Sequence, residues 1–131
     1  MIKLLMLGDS LVEWGDWPAL LPQAAVVNRG FAGEMTGELA SRLADEIEAC
    51  PDPDAVLVQS GTNNILFGDL VYPAIFQTMI PRLRLSYDPR VLLIISSLMP
   101  MPIVPAKDIE QMNKALAQIA SATENCIFLD M

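Results

Sequence analysis

Three short polar segments could do chemistry together, and each directly follows a run of strand-like residues. They are Gly8-Asp9-Ser10-Leu11, then Asn28-Arg29-Gly30-Phe31-Ala32-Gly33, then Gly61-Thr62-Asn63-Asn64. Acyl transfer requires a nucleophilic oxygen and hydrogen-bond donors aimed at the oxyanion that develops on the carbonyl. Ser10 offers the oxygen. Gly33 lets a main-chain N–H approach closely, and Asn63 carries an NH₂ donor whose state does not depend on pH. Against this stands one absence: the 131 residues include no histidine, so the usual general base of a serine hydrolase is missing.

Each of these residues also has a plainer role open to it. Ser10 could cap the helix that follows, Gly33 could be a turn glycine, and Asn63 could close an Asx-turn. Glu13 and Asp16 stand close enough in sequence to Ser10 to be replacement bases, or they are solvated acids near a helix start. Trp14, Trp17, Met99 and Met101 could line an acyl pocket or simply pack.

The elements that must position these segments alternate short apolar runs with longer periodic ones, a βαβ rhythm. Strands are predicted at residues 2 to 7, 25 to 27, 54 to 59, 90 to 95 and 126 to 130. Most lack period-two alternation, as expected of parallel strands covered on both faces. Glu38 to Ala49 repeats Leu39, Leu43 and Ile47 at helical spacing, with Thr36 as the expected N-cap and Pro51 beyond the end. Asp108 precedes a second apolar stripe, Ile109, Met112, Leu116 and Ile119, as its capping carboxylate. Pro73 can open a third helix, which Pro81 is expected to kink or split. Residues 98 to 106, with three prolines, form an apolar loop after the fourth strand. Right-handed crossovers then give a five-stranded, parallel, doubly wound sheet in a three-layer α/β/α arrangement, flavodoxin-like, with the loops after the strands along one edge.

Composition narrows the function classes. Sixteen acidic against eight basic residues give a net charge of −8, and the bases are scattered, which argues against nucleic acid and anionic lipid as partners. Cys50 and Cys126 are expected to be unpaired thiols. No cofactor or metal signature appears. The N-terminal apolar stretch is too short for a signal peptide and no run can span a bilayer, so a cytoplasmic location is the default expectation.

With its literal Gly8-Asp9-Ser10-Leu11, its Gly33 in an Asn-x-Gly-x-x-Gly setting and its Gly61-x-Asn63, the chain resembles the GDSL, or SGNH, hydrolases, a family of esterases, lipases and acylhydrolases. The likeness extends over essentially the whole length. It implies that Ser10 is the nucleophile, that the N–H groups of Ser10 and Gly33 and the Asn63 side chain form the oxyanion hole, and that Asp9 and Asn64 support them from behind. Asn64 stands where the family most often has an aspartate. The resemblance also implies an Asp-x-x-His pair beyond the fifth strand. The sequence stops at Met131 before any such pair, and Asp130 ends the fifth strand rather than serving as the triad aspartate. The expectation is therefore one domain, residues 1–131, shortened at its C-terminus and lacking the final helix. It would be nearly inactive alone, with an apolar sheet face open to self-association. Substrates implied are small-molecule, lipid or carbohydrate O-acyl esters. A non-catalytic module holding a carboxylate or an acetylated glycan on the same fold is the alternative. A phosphorelay receiver lacks its acceptor aspartate, since Gln59 and Ser60 stand at the end of the third strand, and a dinucleotide-binding domain lacks Gly-x-Gly-x-x-Gly in the first turn.

Overall fold

A computed structural model describes residues 1–130. Five strands, β1 (Ile2–Gly8), β2 (Ala24–Gly30), β3 (Ala55–Gln59), β4 (Leu92–Ser96) and β5 (Cys126–Leu129), form one sheet in the order β2-β1-β3-β4-β5. All four pairings are parallel. This is the doubly wound arrangement that the alternating pattern predicts. Between the strands lie α1 (Ser10–Glu13), α2 (Trp17–Leu20), α3 (Thr36–Ala49), α4 (Thr62–Leu66), α5 (Pro73–Ser86) and α6 (Ala106–Ser121). No helix among the described residues is long and apolar enough to cross a membrane.

The two faces of the sheet are unequally covered. On one, Leu5, Leu7, Val56, Val58, Leu93 and Ile95 are buried against Leu39 and Leu43 of α3, Phe76, Ile80 and Leu83 of α5, and Met112 and Leu116 of α6. Each such side chain contributes about 1.5–3 kcal/mol by leaving water. The Tyr87 hydroxyl, just past α5, donates to the Cys50 carbonyl at 2.7 Å and ties the ends of α5 and α3 together. Among the described residues, the helices on the other face are the one-turn α1 and α2. There Leu4, Met6, Leu57 and Leu129 line an apolar recess of about 360 Å³ with Leu11, Trp17 and Leu20. Ile127 stays 47% and Leu129 40% exposed. Part of this apolar face is thus exposed.

Several local expectations change on contact with the structure. Thr36 is the first residue of α3 and not its cap; Met35 holds the cap position, and the Glu38 carboxylate reaches back to the Met35 N–H at 2.9 Å. Asp108 lies in the first turn of α6, which starts two residues earlier after Pro105; its charge still faces the positive end of the helix. Pro81 does not split α5, which runs unbroken from Pro73 to Ser86. It sits on the exposed side, where water can take the carbonyl that proline leaves without a donor. β4 begins at Leu92 because residues 88 to 90 are held in a turn by the Asp88 carboxylate, which accepts from the Arg90 N–H at 2.8 Å. Cys50 and Cys126 are both free thiols.

The contrast between the faces is measurable. Ile95→Ala, at a fully buried position, should cost about 3 kcal/mol, while Ile127→Ala on the open face should cost about 1 kcal/mol or less. Urea unfolding of both variants reads the difference, and equal losses would contradict this assignment of faces.

Candidate active site

Strand register gathers the three polar segments. Gly8 pairs with Gly30 on one side and with Gln59 on the other, so β1, β2 and β3 end at one level. Ser10, Gly33 and Asn63 follow these residues by two, three and four positions, all at the carboxyl edge of the sheet where open α/β folds take ligands.

Ser10 is the first residue of α1 and does not cap it. Asp9 is the N-cap, its carboxylate accepting from the Leu11 N–H at 3.1 Å. Asp9 is 1% exposed, and burial pushes its pKa above the ordinary carboxylate value against the hydrogen bond from Leu11. Because Asp9 caps the helix, the Ser10 hydroxyl is not spent there. Neither that hydroxyl nor the Ser10 N–H bonds any other group among the described residues.

Gly33 has φ +78°, a left-handed conformation that costs glycine little, and a Cβ added there would meet open space. Its N–H likewise bonds nothing among the described residues, whereas both its neighbours are held. The Ala32 N–H donates to the Glu13 carboxylate at 2.7 Å, which ties the loop to the helix of Ser10. The Glu34 carbonyl accepts from Asn63 Nδ2 at 3.0 Å, which ties it to the third segment. Glu13 is therefore not a merely solvated acid: its carboxylate tethers the loop. Asn63 closes no Asx-turn; one of its two amide hydrogens bridges to another loop, and the second hydrogen makes no bond among the described residues.

Asn64 lies deeper, at 2% exposure. Its carbonyl oxygen accepts from both the N–H and the hydroxyl of Thr36 at 2.9 Å, and its amide donates to the Asp69 carboxylate at 3.0 Å. The Thr36 and Ser60 hydroxyls are 2.8 Å apart. Together these bonds join the start of α3 to the turn after β3. Gly61 makes that turn possible: at φ +120°, a Cβ there would collide with the Tyr72 ring. Aspartate at position 64 would set a second carboxylate against Asp69, which explains the asparagine.

A further group was not visible as a site in the sequence. Arg29, Glu34, Arg42 and Glu46 converge beside Phe31, with Glu34 and Glu46 both largely buried. Hydrogen bonds from Arg29 hold the Glu46 carboxyl below its ordinary range, against the opposing effect of burial. Only the i,i+4 spacing of Arg42 and Glu46 could have signalled it. Of the aromatic and methionine candidates, Trp17 and Met99 line the apolar recess, Trp14 is 75% exposed, and Met101 packs against the core on the opposite face. Among the described residues no cluster of three or more His, Cys, Asp or Glu could hold a metal ion.

Asn64→Asp should destabilise the fold by about 2 kcal/mol at neutral pH, through loss of a charge-assisted bond and like-charge repulsion. The introduced pair would bind a proton more tightly folded than unfolded. The loss should therefore grow as pH rises and shrink on acidification, so urea unfolding at neutral pH and at about pH 4.5 should show the gap to wild type narrowing.

Comparison with known proteins agrees with this architecture. A protein from Streptococcus pneumonia described as a platelet activating factor superposes with a TM-score of 0.79 at 24% identity, over 98% of this chain and 65% of that one. A family 3 carbohydrate esterase from Clostridium thermocellum gives 0.79 at 21%, over 98% and 77%. A variant acetyl xylan esterase from Geobacillus stearothermophilus gives 0.74 at 19%, over 97% and 75%. The chain thus spans about two thirds to three quarters of these proteins, and the likeness is one of fold. No curated protein sequence matches it. The sequence itself matches the GDSL-like Lipase/Acylhydrolase family over residues 6–131, and the chain belongs to that family.

Proposed function

We propose that the chain carries the nucleophile and oxyanion hole of an ester hydrolase acting on O-acyl groups of small esters, lipids or carbohydrates. Ser10 Oγ attacks the ester carbonyl carbon, its proton passes to a base, and the carbonyl electrons move to oxygen. The N–H groups of Ser10 and Gly33 and the free amide hydrogen of Asn63 receive the resulting oxyanion. Collapse of the adduct expels the alcohol, which recovers the proton, and water then releases the acid from Ser10. Asp9 and Asn64 act from behind, capping the nucleophile's helix and holding the Asn63 turn.

One observation carries this assignment. The Ser10 hydroxyl, the Ser10 and Gly33 N–H groups and one Asn63 hydrogen are unspent among the described residues, while Asp9, Glu13, Ala32, Glu34 and Asn64 around them are hydrogen-bonded. Donors left free between fixed neighbours are what preorganised stabilisation of a developing charge requires. Membership of the GDSL-like Lipase/Acylhydrolase family supports the same chemistry. No histidine is present among these residues to serve as the general base.

Imidazole in solution can stand in for that base. With p-nitrophenyl acetate, the chain should add an imidazole-dependent rate above that of imidazole alone. Ser10→Ala should return it to that background, and Asn63→Ala should lower it about 10²-fold. A rate unchanged by Ser10→Ala, or none above background in the wild type, would overturn the proposal.

A further inference from the structure

Resting on the assignment of Gly33 as an oxyanion donor, we infer that Arg42 is a positioning residue that helps fix the direction of the Gly33 N–H, by holding Phe31 and Glu34, which flank Ala32-Gly33, with one guanidinium. The loop from Phe31 to Met35 has little of its own to hold it. Ala32 and Gly33 are exposed, and the only hydrogen bond closing the loop internally is a long one, Glu34 N–H to the Phe31 carbonyl at 3.2 Å. A glycine with φ +78° and nothing around its Cβ position turns its peptide plane easily, and the single bonds from Ala32 to Glu13 and from Asn63 to the Glu34 carbonyl tether its neighbours without fixing the Phe31 and Glu34 side chains.

Arg42 reaches that loop from α3. Its Nε and Nη2 grip the Glu34 carboxylate at 2.7 and 2.9 Å, Nη2 also donates to the Arg29 carbonyl at 2.9 Å, and its plane lies 4.4 Å over the Phe31 ring. Phe31 and Glu34, either side of Ala32-Gly33, are thus held by one rigid fork. Arg29 reaches the same ring at 5.1 Å and is gripped by Glu46, which lies 3.5 Å from Arg42 Nη1 one turn along α3.

Stability alone explains this array poorly. The Arg42, Glu34 and Glu46 side chains are 17%, 11% and 6% exposed, and ion pairs taken so far out of water gain little over apolar residues of similar size. What a planar, bidentate guanidinium supplies that an apolar side chain cannot is direction, and an oxyanion donor needs direction.

The test uses a fluorophosphonate ester, which phosphonylates a reactive serine. An O–P bond forms at Ser10 Oγ, the P–F bond breaks, fluoride leaves, and the serine proton passes to imidazole in the buffer. Intact mass gives the labelling rate per folded molecule for wild type, Arg42→Met, Arg42→Lys and, as a control at an exposed ion pair, Arg90→Met. The Gly33 amide resonance is followed in ¹⁵N spectra. Both Arg42 variants should label roughly tenfold more slowly and shift the Gly33 resonance, since lysine keeps the charge without the fork. Arg90→Met should match wild type. Should Arg42→Met not fold, Arg42→Lys and Glu34→Gln carry the same expectation. A folded Arg42 variant that labels within about twofold of wild type, even with a lowered melting temperature, would overturn the inference while leaving the hydrolase assignment standing. Wild-type protein that never labels at Ser10 would bring down both.

Discussion

The register of three parallel strands is the constraint on which the rest depends. Gly8 is level with both Gly30 and Gln59, so the chain leaves the sheet at one height in three adjacent strands. A slip of one residue would send alternate side chains to the opposite face, which the buried set Leu5, Leu7, Val56 and Val58 forbids. Apolar packing on one face of the sheet thereby fixes where Ser10, Gly33 and Asn63 emerge. Residues far from any chemistry determine the site's coarse geometry.

Fine geometry is set by different forces. The helices nearest Ser10, α1 and α2, are four residues each, and the face they lie on is partly open, so little apolar burial holds this corner. Polar ties do so instead: Asp9 on Leu11, Glu13 on Ala32, Asn63 on Glu34, and Asn64 on Thr36 and Asp69. Because a hydrogen bond gives direction where dispersion gives only proximity, such a corner can be weakly packed and still well defined. Loops that carry chemistry commonly belong to the less stable parts of a fold, and these ties restrict how the loops can open.

Much of this was legible in the sequence, for physical reasons. Strand-ending positions show in composition, and the three polar segments stand immediately beyond them, so convergence at a sheet edge follows from topology alone. The family resemblance of Gly8 to Leu11 and its companions agrees with the observed match over residues 6–131. What sequence misjudges is the direction of side chains. Thr36 has the composition of a cap but points its hydroxyl at Ser60 and Asn64. Glu13 has the composition of a solvated acid but turns back to the Ala32 N–H. The Arg42 array joins residues 8 and 13 positions away through contacts that only the β2-to-α3 turn brings about. Periodicity reports faces, and these contacts depend on the path of a loop.

Two buried carboxyls pull the acid stability in opposite directions. Glu46, held low by Arg29, contributes stability that is present above its unfolded value of about 4.5 and lost as pH falls through its lower folded value. Asp9, pushed up by burial, behaves inversely: its contribution is complete below its unfolded value of about 3.8 and is lost as pH rises through its folded value. Acidification therefore removes the stability that the Arg29–Glu46 pair contributes, while relieving the charge buried at Asp9. The segment carrying Gly33 and the turn carrying Ser10 thus respond oppositely to a proton, although the Glu13 carboxylate joins them. The two contributions therefore cannot both be complete at one pH, because the first needs Glu46 ionised and the second needs Asp9 protonated.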